Sequence, residues 1–455
     1  LNGLTSYRRW LPCLHSKQSR RNCARLIPAL LLVLGLFTLP ARAADPIPGE
    51  DYCNQIVSTI NFVGNKVTRD QILLRELLQK TGEQCSLDDI IDGIQNIQDL
   101  GLFKSVRAEL TLIDELLELR YIVDEKIFVL PIPRFSRTSD GELRAGIQVR
   151  WDNFLGRLHR LRLTSEKRQE DNGRGRSGFV HSARYTVPRF LGSDYGLLLG
   201  VSSERRNVEF SRNEVIFGEG VRKSTLFEIQ VARWLNHTKG VRGLRYFGGF
   251  RIVDRELDIT SGDSGPFSDG NDLSFVFGAE NQLVRRDTYR RRGTEYGFTL
   301  RLADENLGSD FTYRRVDLWG AFFLPLRDPL KNLNFQLRLG LSDGSPFGEH
   351  AFSVGGGDIL RGLDTGSSTG DILTLLNVEY LSGFFSYPAW RWVVFMDIGN
   401  AFEKNDIDLL NQNLRAGLGL RYKLQSLTNT DLRIDVAWDP DRNKFRPFIA
   451  TRLTF

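Results

Sequence analysis

The chain has 455 residues, a formal net charge of +5, 41% hydrophobic residues, 43 glycines and 30 phenylalanines, yet only one methionine and four cysteines. Many glycines and aromatics with few helix formers argue for β structure. The five histidines (His15, His159, His181, His237, His350) are scattered without ligand spacing, no nucleic-acid-reading motif occurs, and no nucleophile, base and orienting group can be assembled, so no metal, cofactor, nucleic-acid or enzymatic role is expected.

Arg20, Arg21 and Arg25 precede an apolar run from Leu26 to Leu39, then Pro40 and Ala41-Arg42-Ala43. A basic stretch, a short apolar core and an A-x-A site read as a leader and signal peptide over 1–43, cleaved before Ala44, and the run is too short to span a membrane comfortably. Residues 1–18 make this leader unusually long. Cys53 and Cys85 follow it and can pair in an oxidising compartment.

Residues 54–126 read as a small α+β unit. Ile56 to Val63 is an apolar strand closed by Gly64-Asn65. Thr68 with Gln71 has capping-box spacing, and Ile72, Leu73, Leu77 and Leu78 supply a buried helical stripe. Ser86 with Asp89 starts a second helix, in which Leu87, Ile90, Ile91, Ile94, Ile97 and Leu100 recur at helical spacing before Gly101-Leu102-Phe103 ends it. Two strands follow, one carrying Val106, Ala108, Leu110 and Leu112, the other Leu117, Leu119, Tyr121 and Val123. The predicted order is β-α-α-β-β.

From Phe128 to Phe455 the chain changes to repeated strands and turns, with sixteen strands predicted near 131–138, 142–151, 156–168, 177–187, 193–205, 223–235, 241–254, 272–284, 294–304, 309–324, 331–343, 371–382, 390–402, 411–424, 429–438 and 445–455. Short turns such as Asp152–Gly156, Pro188–Gly192 and Asn236–Lys239 alternate with long polar stretches at Glu256–Asn271 and Ser345–Gly370. Leu414, Ala416, Leu418, Leu420, Tyr422 and Leu424 alternate with Arg415, Gly417, Gly419 and Arg421. That pattern fits a transmembrane barrel or a soluble sandwich equally. Short turns at one end and long loops at the other, in an even number of strands, favour the barrel.

Between two predicted strands lies Val354-Gly-Gly-Gly-Asp-Ile-Leu-Arg-Gly-Leu-Asp-Thr-Gly366, a glycine-rich loop with Arg361 and Gly362 at its centre. Asp397 shares its strand's inward phase with Val393, Phe395 and Gly399, and Glu379 lies in phase with Asn377 and Asp371. An arginine enclosed in a lumen is costly unless paired, and its planar fork suits a carboxylate, so Asp397 and Glu379 are the expected partners of Arg361.

The small unit, with Gly64-Asn65 after its first strand and Asp99-Leu-Gly-Leu-Phe103 before its second, resembles a POTRA domain. Such a domain offers an exposed sheet edge beside a helix groove for an extended client, placed here near Gly64, Asn65, Phe103 and Val106. Asp152–Gly156, Tyr185–Gly192, Arg286-Asp287, the Gly355-to-Gly362 loop and Phe395–Asn400 extend the likeness, so that 54–455 resembles the BamA/TamA superfamily of outer-membrane assembly and translocation barrels. The resemblance implies a sixteen-stranded barrel over 128–455 in the bacterial outer membrane, a periplasmic POTRA unit, and a loop at 345–370 folded into the lumen. The family's V-R-G-F/Y motif stands here as Leu360-Arg361-Gly362-Leu363, with an apolar plug in place of the aromatic. Leu453 and the terminal Phe455 resemble the signal by which such barrels are recognised for insertion. The expected partners are unfolded client polypeptides, the lipid bilayer, and periplasmic chaperones or accessory proteins.

Two roles follow from the resemblance. An insertion factor would open sideways between its first and last strands, the last weakened by Pro447, which has no N–H to donate. A secretion pore would pass its client through the lumen. Secreting relatives usually carry two POTRA units and a plug helix, and assembly factors usually carry several, so a single unit departs from both, and the first role is expected. A passive porin would leave the POTRA-like unit without a use.

Overall fold

The computed structural model describes residues 46–450, apart from 138–141, 171–176, 213–214, 236–241, 287–290, 329, 357–358, 365, 385–386, 425 and 428–430. The predicted leader over 1–43, Asp287, Leu453 and Phe455 therefore lie outside the described residues.

The α+β unit contains β1 (Val57–Val63), α1 (Asp70–Leu74), α2 (Leu87–Asp99), β2 (Phe103–Ile113) and β3 (Leu116–Glu125). Its sheet runs β1-β3-β2, with β1 parallel and β2 antiparallel to β3. Ile72, Leu73, Leu77, Ile90 and Ile97 from the helical side meet Phe103, Ala108, Leu119 and Tyr121 from the sheet in one buried core. The stripes read from helical and alternating periodicity are what this core consumes. Ser86 caps α2, accepting from the Asp89 amide at 3.3 Å. Thr68 does not cap α1. That helix starts one residue later with Arg69 as its uncapped N-cap, because the Thr68 hydroxyl donates to Glu125 at 2.6 Å and accepts from Asn153 at 2.8 Å. Cys53 and Cys85 form a disulfide with Cα atoms 5.1 Å apart.

The large sheet contains β4 (Val129–Arg137), β5 (Glu142–Phe154), β6 (His159–Glu170), β7 (Ser177–Val187), β8 (Tyr195–Arg212), β9 (Val215–Trp234), β10 (Gly243–Gly262), β11 (Gly270–Gln282), β12 (Arg285–Arg286), β13 (Arg291–Ala303), β14 (Tyr313–Pro325) and β15 (Asn332–Asp343). It continues through β18 (Ile372–Phe384), β19 (Tyr387–Phe402), β20 (Asn413–Lys423), β21 (Asp431–Asp439) and β22 (Lys444–Ala450), while β16 (Phe352–Val354) and β17 (Ser368–Gly370) form a separate hairpin. Neighbours in sequence pair antiparallel around a closed barrel, with β22 beside β4. Because β11 and β12 pair in succession with β13, the two are one interrupted stave, and among the described residues the barrel has the sixteen staves expected from the sequence.

The register separates the two faces. Ile147, Leu163, Phe227, Phe277, Phe298, Leu318, Leu418 and Ile434 are exposed on the outer surface, and their alternating neighbours, such as Arg150, Glu228, Asp272, Asp397 and Asp435, are buried on the inner one. Apolar outside and polar inside is the reverse of a soluble barrel and is the pattern of a membrane-spanning one. The sequence reading makes three of the staves too short. β8, β9 and β10 extend through Arg212, from Val215 and through Gly262, so Glu256–Gly262, read as loop, is strand. Polar residues pair as well as apolar ones where a ladder leaves the apolar band, and hydrophobic alternation then loses its signal.

Candidate functional site

The segment joining β15 to β18 is fastened at several points. Glu349 receives Arg222 at 2.7 Å and Arg255 at 2.9 Å, and the Arg255 guanidinium lies 3.9 Å from the Phe347 ring centre. Arg315 donates to the Ala351 carbonyl at 2.6 Å and covers the Phe352 ring. The hairpin β16–β17 and Leu360 then bury Phe352 and Val354 against Leu373, Leu375 and Ala401 of the inner wall. Apolar contact with the wall thus brings the centre of the loop to the inner ends of β18 and β19.

There Arg361 is 1% exposed. Its Nε and Nη2 each donate to Asp397 at 2.6 Å, and its own amide donates to the same carboxylate at 3.1 Å. Nη1 donates to Glu379 at 2.6 Å and lies 3.4 Å from Asp435. The guanidinium stacks on Phe395, 3.6 Å from the ring centre, an arrangement the planar fork of arginine allows and lysine does not. Asn377 closes the shell, donating to the Ile359 carbonyl at 3.0 Å and to Asp397 at 2.9 Å. Gly362 follows with φ +87°, in the left-handed region where a side chain is strained, and a Cβ there would come within 3.0 Å of the Ala437 methyl. Leu363, in place of the family's aromatic, packs half-buried on the Phe352 cluster.

The structure brings Arg361 to both predicted partners, Asp397 and Glu379. It adds a second layer absent from the sequence reading. Arg421 donates to Asp435 at 2.5 Å and to Glu379 at 3.0 Å, and Arg433 also bonds Asp435. Three guanidinium groups therefore face three carboxylates with almost no water, and the charges balance. Two glycines make room for them. A methyl group on Gly417 would overlap the Phe395 ring, and one on Gly419 the Asp435 carboxylate. One turn further along the loop, Asp364 pairs with Arg442 and with Arg446 of β22.

In the α+β unit, Gly64 has φ +95° and Asn65 binds the Thr68 carbonyl and Asp70, so both are turn-formers. Phe103 and Val106, expected at a client-binding edge, are buried in the core instead, because the alternation that makes β2 a strand turns these side chains towards the helices. As an edge strand β2 still offers its main-chain groups, one of which, the Leu110 amide, donates to the Pro48 carbonyl at 2.9 Å.

The unit also touches the barrel. Asn153 near the end of β5 donates to Thr68, and the Arg69 amide donates at 3.1 Å to the carbonyl of Gly156 in the turn that follows. Across the rim, Asp99 accepts from the Arg286 amide at 2.9 Å and lies 3.1 Å from Arg242, while Asp92 lies 3.8 Å from Arg285.

A closed barrel with apolar outer and charged inner faces, an inward loop tied by a buried arginine, and a small βααββ unit at one end define a membrane-spanning β-barrel with an appended α+β domain. Residues 55–126 match the POTRA family (surface antigen variable number repeat) and residues 153–448 match the Omp85 superfamily domain. The chain belongs to the Omp85 superfamily. Among solved structures it is similar to BamA from Haemophilus ducreyi lacking POTRA domains 1–3, at 16% identity over 90% of this chain and 84% of that one with a TM-score of 0.51. It is also similar to CdiB from Acinetobacter baumannii (14% identity, 95% and 80% covered, TM-score 0.57) and CdiB from Escherichia coli (15%, 88% and 74%, TM-score 0.60). At these identities the likeness is one of fold. No curated protein matches the chain in sequence.

Proposed function

We propose that the protein inserts β-barrel polypeptides into the bacterial outer membrane. Its POTRA unit, on the periplasmic side, receives an extended client with any chaperone that delivers it, and the seam between β4 and β22 opens sideways to pair with the client's strands. The observation that carries this reading is the charge-locked loop inside the lumen. A chain threading the lumen has to break the Arg361 network, whereas a strand added at the seam leaves it intact. Pro447 supports the same reading, because it pairs opposite Val436 and has no N–H for either neighbouring strand. Free main-chain edges then template the incoming strand, and its own folding drives insertion.

The test is depletion of the protein followed by quantitative proteomics of the outer-membrane and extracellular fractions. Loss of many barrel proteins from the membrane is expected. Loss of one or two secreted polypeptides with an intact membrane proteome would overturn insertion in favour of a dedicated secretion pore. A disulfide engineered across the β4–β22 seam is expected to abolish activity until reduced, and full activity while locked would exclude sideways opening.

A further inference from the structure

Where α2 meets the barrel rim, charge is placed against local preference. Asp99 is the last residue of α2, at the end of the helix whose dipole repels a carboxylate, and it is buried with its side chain 1% exposed. No basic residue of the last turn offsets it. Gln95 of the same helix donates to it at 2.8 Å, and the charged and main-chain donors come from the barrel, namely the Arg242 guanidinium and the Arg286 amide, while Asn96 also bonds Arg242 and Asp92 faces Arg285. Burial nonetheless raises the Asp99 pKa above the usual aspartate range, against the pull of Arg286 and Arg242. Desolvation thus cancels part of what the ion pair contributes, and a carboxylate that keeps more of its water binds the same arginines on better terms.

The rim arginines also continue inward. Arg160 of β6 lies within electrostatic reach of Arg150, Arg245 and Arg286, with Asp152 as its acidic neighbour. Arg150 and Arg245 each have a carboxylate of their own, Asp152 at 3.2 Å and Glu280 at 2.5 Å, so the arginines that face the helix are those of the rim itself.

The geometry points to Arg242, Arg285 and Arg286 as a docking site for an acidic segment of client polypeptide, with α2 of the same chain as its resting occupant. An acidic stretch that reaches the rim takes the arginines from Asp99 and Asp92, and the POTRA unit is released on that side while the Thr68–Asn153 and Arg69–Gly156 contacts hold the other. Movement of the unit is in this way coupled to arrival of the client. The inference rests on the reading that the barrel receives polypeptide from the POTRA end, and the experiment below needs no client assembly, so the two fail separately.

The full chain in nanodiscs is followed by hydrogen exchange of α2, residues 87–99, with a decamer of glutamate, a decamer of lysine, or sodium chloride at matched ionic strength. The glutamate decamer is expected to speed exchange in α2 about tenfold, with little effect of the other two. The double variant Arg242→Gln, Arg285→Gln is expected to exchange fast without peptide and to respond to none. Its barrel is checked by retention of the folded, heat-modifiable band in gel electrophoresis. No response of the unsubstituted protein to glutamate, or an equal response to all three additives, would overturn the site and leave the junction a structural joint.

Discussion

The barrel holds arginine–carboxylate contacts of two kinds, and their surroundings set them apart. At the loop, Arg361, Asp397 and Asp435 are all at or near zero exposure. At the rim, Arg285 and Asp92 keep 40% and 48% of their side-chain surface in solvent. Where water is excluded, the attraction of a pair is large, and so is the cost of leaving either member alone. Where water enters, the contact contributes little and exchanges readily. The loop lock is buried throughout, whereas the rim junction is mixed, with its Asp99–Arg242 pair buried and its Asp92–Arg285 pair in solvent.

Arg361→Ala is the substitution that breaks this contrast most completely. It leaves Asp397, Glu379 and Asp435 facing two arginines, with Asp397 losing its fork and keeping from the loop only the main-chain amide of residue 361. The expected cost is about 3–5 kcal/mol, read as a lower temperature at which the folded band converts to the unfolded one. The barrel is expected to insert but to work poorly, and unchanged client assembly would remove the functional part of the argument. Arg361→Lys is expected to recover little, because a point charge cannot serve Asp397 with a fork and stack on Phe395.

Gly419→Ala probes the same network without touching a charge. Its methyl group overlaps the Asp435 carboxylate, so Asp435, Arg421 and Arg433 have to shift together. A loss of about 1–3 kcal/mol is expected in the same thermal assay. If the lumen here were loosely hydrated instead of packed, the substitution would be silent.

Asp99→Asn tests the rim. It keeps a side chain able to accept from the Arg286 amide while removing the charge that Arg242 faces. Desolvation already works against that charge, so the net change is expected to be small, within about 1 kcal/mol, and seen as altered exchange in α2 with no change in barrel unfolding. A large loss of barrel stability would mean that the junction is a fixed support like the loop lock.

The contrast also explains what the sequence could disclose. Arg361 and its partners Asp397 and Glu379 were legible because period-2 alternation sets which residues of a strand point inward, and an enclosed arginine needs a carboxylate. Asp435, Arg421 and Arg433 lay on the inner phase of strands already recognised. Joining them to Arg361 required the register that sets Gly419 opposite Asp435 and Arg421 opposite Arg433, and register is a property of two strands together. Thr68 shows the opposite failure. Its spacing from Gln71 satisfied a local capping rule, but Glu125 and Asn153, far away in sequence, claimed the hydroxyl. Phe103 and Val106 do lie on an edge strand, β2, but their side chains face the core, because alternation shows only that two faces exist and the packing of the helices decides which is covered. The rim junction could not be assembled from the sequence, although Asp99 and Arg286 both lie in motifs noted there, since its residues belong to a helix end, the residue before β10 and the short strand β12.

The smallest expected effect lies between the two kinds of contact. Asp364 is on the locked loop, but its partners Arg442 and Arg446 are 56% and 15% exposed, and Arg446 belongs to β22 at the seam. With solvent at hand, Asp364→Asn is expected to cost less than about 1 kcal/mol in thermal unfolding. Its consequence for the seam is separate from that cost, because this pair ties the loop directly to the strand that has to part from β4. A spin-label pair spanning β4 and β22 is expected to show a broader distance distribution in Asp364→Asn than in the unsubstituted protein, with the Arg361 network intact. An unchanged distribution would mean that Asp364 does not couple the loop to β22 and that the seam opens without reference to it.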